Sequence, residues 1–92
     1  MGESTQIHVP DLSREDQTAQ SIYAISMSNR LSVAEIRLKR ANRFSDSFDR
    51  ELKEINDSII DLTDFLLLGE DVRSSLDAIE NRVTQVEQRI AT

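Results

Sequence analysis

The chain has no cysteine, which excludes disulfide stapling, thiolate catalysis and cysteine-based zinc sites. Its one histidine, His8, rules out a two-histidine metal motif and leaves little from which to build a base-activated nucleophile. One proline and two glycines mark few places where the backbone must turn. The longest apolar run, Phe65 to Leu68, is four residues, against roughly 18 for a spanning helix. The opening stretch Met1–Gln6 lacks the basic-then-apolar order of a signal peptide. These absences point to a protein of the cytoplasm, or of a particle assembled there.

Ninety-two residues allow one small domain with a modest core, and such chains commonly draw stability from a partner. Charged residues make up 30% and aromatics 4%, a profile closer to long helices or coiled coils than to an enzyme. The net charge of −6 argues against nucleic-acid binding by the chain as a whole.

Residues 1–12 are polar, carry Pro10 and a short Ile7–Val9 insert, and read as an extended arm. Ser13 followed by Asp16 is a helix-start pattern. Beyond it the only glycine or proline is Gly69, so residues 13–68 read as one helical segment and 69–92 as a second.

Two heptad frames run through these segments. The first places Ala24, Met27, Leu31, Ala34, Leu38, Ala41, Ser45, Phe48, Leu52, Ile55, Ile59, Leu62 and Leu66 on one seam. The second uses Val72, Leu76, Ile79, Val83, Val86 and Ile90. This 3.5-residue period predicts an all-α fold of long helices in a parallel coiled coil. Between Leu62 and Val72 the frame shifts by three residues beside Gly69, so a helix break or a stammer is expected there. A break would use Gly69 as a C-terminal cap. Asp77 falls on the outer face of the second frame.

Val72, Ile79 and Val86 occupy d positions, where β-branched residues disfavour two strands. Arg82 to Glu87 resembles the Arg-h-x-x-h-Glu pattern of short parallel trimeric coiled coils, and Arg30 to Glu35 repeats it. The pattern implies a homotrimer with inter-strand ion pairs from Arg30, Glu35, Arg82 and Glu87. It spans six residues each time and is a guide to stoichiometry only.

The first segment also carries apolar residues off the seam: Ile22, Ile25, Val33, Ile36, Phe44, Ile60, Phe65, Leu67 and Leu68. Leaving a large aliphatic side chain in water forgoes roughly 1.5–3 kcal/mol of burial. Two readings follow: a wider bundle face, or a docking surface for another protein, with Ile22, Ile25, Val33, Ile36, Phe44, Phe65 and Leu68 as its candidate contacts.

Residues 30–43 carry a local charge of +4 and residues 44–71 a local charge of −7. This arrangement reads as solvated helix faces or as an electrostatic dock. Flanking acids would repel phosphate from the basic band. Asp57, Asp61 and Asp64 share an outward face and read as solvated, not metal-binding. With no convergent groups for chemistry, no enzyme activity, cofactor or metal is expected.

The sequence therefore predicts a structural or assembly protein acting by coiled-coil oligomerisation within a larger complex, such as a virion or phage appendage. The alternative is a small helical-hairpin adaptor or secretion-type chaperone. It would turn at Gly69, fold Val72–Ile90 back on Ser47–Leu66, and bind a partner helix.

Overall fold

The computed structural model describes residues 12–91. Of the expected N-terminal arm, the Ile7–Val9 insert and His8 lie outside the described residues, and Leu12 is buried. Three helices account for most of the rest: α1 (Arg14–Arg40), α2 (Asp46–Leu67) and α3 (Arg73–Ala91).

Each helix begins and ends where side-chain chemistry dictates. Ser13 caps α1, its hydroxyl oxygen accepting the Asp16 N–H at 3.1 Å. Glu15 and Asp16 in the first turn, with Arg37, Lys39 and Arg40 in the last, complement the helix dipole. The helix stops at Asn42, which takes a left-handed conformation (φ 57°). There the Arg43 N–H donates to the Leu38 carbonyl at 2.8 Å and the Asn42 N–H to Lys39 at 3.1 Å, the paired bonds of a Schellman motif. Ser45 then opens α2 by accepting the Phe48 N–H at 3.3 Å.

The same motif closes α2. Gly69 is left-handed (φ 89°), the Glu70 N–H donates to the Phe65 carbonyl at 3.2 Å, and the Gly69 N–H to Leu66 at 2.9 Å. Gly69 is thus a cap at a reversal of direction, and the frame shift beside it is the mark of a loop.

The segment expected as one helix over 13–68 is two helices. The heptad frame runs straight through the turn and hides it, because Ala41 and Ser45 fill nominal seam positions while lying exposed in the loop. The signals were local. Asn is, after Gly, the residue most at ease at positive φ. Ser45, the one polar member of that seam, is an N-cap followed by Asp46 in the first turn.

Cross-helix hydrogen bonds give the directions. Ser28 pairs with Asn56 and Gln17 with Leu66, so α2 runs antiparallel to α1. Tyr23 pairs with Asp77 and Glu80, and Arg30 with Glu80 and Glu87, so α3 runs parallel to α1. Arg89 meets Glu51, which returns α3 antiparallel to α2. The result is an up-down-up three-helix bundle. Its core is built from the two seams: Ala24, Met27, Leu31, Ala34 and Leu38 from α1; Leu52, Ile55, Ile59 and Leu66 from α2; Leu76, Ile79, Val83 and Val86 from α3, with Val72 just before it. Leu62 and Ile90 are partly buried against that core. Seam residues that could have met between copies meet inside one chain.

Candidate interaction surface

Helix α1 has two apolar faces. Advancing by about 100° per residue, Ala24, Met27, Leu31, Ala34 and Leu38 fall on the side facing α2 and α3. Ile22, Ile25, Val33 and Ile36 fall on the opposite side, grouped with Asn29 within about 80° of arc. Ile22 is 62% exposed and Ile25 60%, while Val33 and Ile36 are each about half exposed. An ordinary bundle helix carries a polar outer face. This one carries four β-branched aliphatic residues in a line.

The neighbouring helices cannot cover that line. On one flank of α1, Ser28 hydrogen-bonds Asn56 of α2 at 3.0 Å. On the other, Tyr23 and Arg30 reach α3. Both contacts hold α2 and α3 to the inward half of α1, leaving the stripe outward. A second exposed apolar group lies at the end of α2: Phe65, Leu67 and Leu68, beside the Gly69 turn. Ile60, also on α2, is about half exposed.

Phe44 belongs to neither group. It packs partly buried against the core, with the Lys39 ammonium 5.1 Å from its ring centroid. It sits in the α1–α2 turn, where it closes that end of the bundle. The other expected docking residues, Ile22, Ile25, Val33, Ile36, Phe65 and Leu68, are all substantially exposed.

The four residues expected to form inter-strand ion pairs part company. Arg30 donates to Glu87 through Nε at 3.1 Å and also through Nη2, to Glu80 at 3.2 Å and to Thr84 at 3.3 Å. Glu35 pairs with Lys39 one turn on, and Arg82 is exposed. The bidentate bond to Arg30 holds the Glu87 carboxyl below its ordinary range, partly offset by desolvation. The same bond raises the Arg30 guanidinium. Tyr23 is pushed upward, first by burial and then by donating to Glu80 and Asp77.

The basic band of residues 30–43 is partly consumed in the same way. Arg30 serves α3, Lys39 pairs with Glu35, and Arg43 donates to the Ile90 and Arg89 carbonyls at 2.8 and 3.1 Å. Arg37 and Arg40 remain exposed at the end of α1.

Two positions that tie the helices together lie outside the apolar pattern, Gln17 and Gln20. Continued backward one more step, the α1 seam reaches both. Gln20 is buried (2% exposed) and bonds Asp71 and Val72. Gln17 donates to the Leu66 carbonyl at 2.8 Å. A polar residue on a seam position was the available signal.

Among the described residues, no cluster of three or more His, Cys, Asp or Glu side chains is placed to hold a metal, and no helix is long and apolar enough to cross a membrane. A groove between α1 and α2 has Leu31 and Leu52 at its base and polar borders that include Ser28, Glu35, Asn56 and Asp57. No known protein family, curated protein or solved structure matches the chain.

Proposed function

We propose that the chain is a structural assembly protein that folds through its inner seam and docks through the outward stripe of α1. It would act in the cytoplasm or in a particle assembled there, such as a virion or phage appendage. The observation that carries this reading is the pair of opposed apolar faces on α1, one buried and one exposed. An exposed aliphatic line gains nothing for an isolated bundle and favours association.

A parallel trimer built on the inner seam would require each bundle to open first, since that seam is already filled within the chain. Docking on the outer stripe requires no rearrangement. Assembly through the stripe is therefore the stronger form of the reading. The adaptor alternative draws on the reversal at Gly69, which lays α3 back along α2. In that reading the same stripe would receive a helix of another protein.

The test is the role of the stripe in folding. Ile25→Gln and Ile36→Gln should leave the melting temperature unchanged at concentrations where light scattering gives one copy. A loss of stability there comparable to a core truncation, about 2–5 kcal/mol, would assign the stripe to the bundle's own packing and end the docking reading.

A further inference from the structure

Taking the stripe as a docking surface, we propose that its occupant is the same stripe of a second copy, the two α1 helices lying antiparallel about a two-fold axis at Asn29. The spacing is palindromic. Ile25 and Val33 stand four residues either side of Asn29, and Ile22 and Ile36 seven residues either side. A two-fold axis at Asn29 therefore sets Ile25 against Val33 and Ile22 against Ile36 of the second copy, twice over. It also brings the two Asn29 side chains together. Each amide can donate to the other's carbonyl oxygen, so the one polar residue in the line is paired there. A central polar residue of this kind fixes register in helix pairs.

Apolar spacing alone would also allow a parallel pair, and charge decides between them. The first turn of α1 carries Glu15 and Asp16, and the last turn Arg37, Lys39 and Arg40. Arg40 and Glu15 both fall in line with the stripe, with Arg14 off to its flank. Parallel pairing would place Arg37 and Arg40 beside their own copies. Antiparallel pairing brings Arg40 level with Thr18 of the second copy, one turn from its Glu15, and opposes the two helix dipoles. The apolar contact from Ile22 to Ile36 is only about 21 Å long. A single helix pair of that length, with four apolar side chains from each copy, is a small interface beside the roughly 800 Å² per partner usual in stable ones, so a reversible monomer–dimer equilibrium is expected.

The full chain, which has no cysteine of its own, suits a disulfide test of orientation. Ile22→Cys and Ile36→Cys are made as separate variants, mixed at high micromolar concentration and oxidised. The expected product is the cross-linked heterodimer of the two variants, with little of either homodimer. Light scattering of the unmodified chain should give a monomer–dimer equilibrium, weakened about tenfold or more by Ile25→Glu at unchanged helicity.

Homodimers of Ile22→Cys would mean parallel pairing and overturn the proposal, as would a mass of three copies. A wild-type monomer at every concentration would overturn self-pairing while leaving the stripe open to another protein. The docking reading itself falls only in a different case, when polar variants of the stripe destabilise the single copy. The cysteine pair, whose side chains remain apolar, keeps the orientation test valid even if Ile25→Glu fails to fold.

Discussion

Gln20 holds Asp71 at the approach to α3: its Nε2 donates to the Asp71 Oδ1 at 2.8 Å, while its Oε1 accepts the Val72 N–H at 3.0 Å. Asp71 in turn accepts the Arg73 N–H at 3.0 Å and so caps the first turn of α3. That backbone bond, followed by the one from Gln20, holds the Asp71 carboxyl below its ordinary range. One buried carboxamide thus connects the N-terminal end of the buried face of α1 to the start of another helix.

Gln20→Leu keeps the volume and removes both bonds, stranding the Val72 N–H in a buried setting. The expected loss is about 1–3 kcal/mol, read from chemical denaturation with an unchanged m-value. A neutral or stabilising result would mean that the loop re-forms its bonds elsewhere.

The two left-handed caps should respond in a matched way. Gly69→Ala is expected to lower stability by roughly 1 kcal/mol or more, because alanine is disfavoured at positive φ. Asn42→Ala should act in the same direction, and Asn42→Gly should be tolerated. A rise in melting temperature for Gly69→Ala is the result expected of one uninterrupted helix, where alanine gains about 1 kcal/mol over glycine, and would contradict the turn.

Ile79 and Asp77 are two residues apart and should differ sharply. Ile79 is buried in the core, and Ile79→Asp places an unpaired carboxylate among aliphatic side chains, enough to abolish cooperative unfolding in a marginally stable bundle. Asp77, which the heptad frame places on an outer face, accepts the Tyr23 hydroxyl at 2.9 Å. Asp77→Ala should therefore cost a little, about 0.5 kcal/mol, with Glu80 retaining its own bond to Tyr23. Circular-dichroism melts of both variants check the contrast.

Periodicity reaches the inward face of each helix and stops there. A repeat near 3.5 residues reports which face of a helix avoids water, so Leu52, Ile55, Ile59, Leu76, Val83 and Val86 could be recognised as interior. Periodicity carries no information on whose helix covers that face, which is why one chain and three chains looked alike. The turn at Ala41–Ser45 is hidden because a five-residue loop preserves the frame. The α1 outer residues could be singled out as surplus to the seam. Their common direction followed once the turn had divided the long segment and given α1 its own limits. Gln17 and Gln20 are hidden by polarity itself, since an apolar period does not register polar seam positions.

Acid should weaken the bundle partly through Glu87. Its folded carboxyl titrates below the ordinary value of 4.5 because Arg30 bonds the charged form. The contribution is therefore complete above that pH and is lost as the pH falls through the lower folded value. Denaturation midpoints across this range should converge for the wild-type chain and Glu87→Gln as the pH drops. A stability gap that stays constant into acid would assign the effect of the substitution to packing instead of charge.

The first turn of α1 and the loop that follows the helix each reach over to another helix's final carbonyls: Gln17 of α1 donates to Leu66 near the end of α2, and Arg43 of the loop to Arg89 and Ile90 near the end of α3. Helix ends ordinarily fray alone, exposing their amides to exchange without disturbing the rest. Here the last turn of α2 is tied to α1, and that of α3 to the loop directly after α1. Slow hydrogen exchange should accordingly extend toward the ends of α2 and α3, and α1 should set its pace. The three helices then open together, as one cooperative unit, and not as a stable hairpin with a loosely attached third.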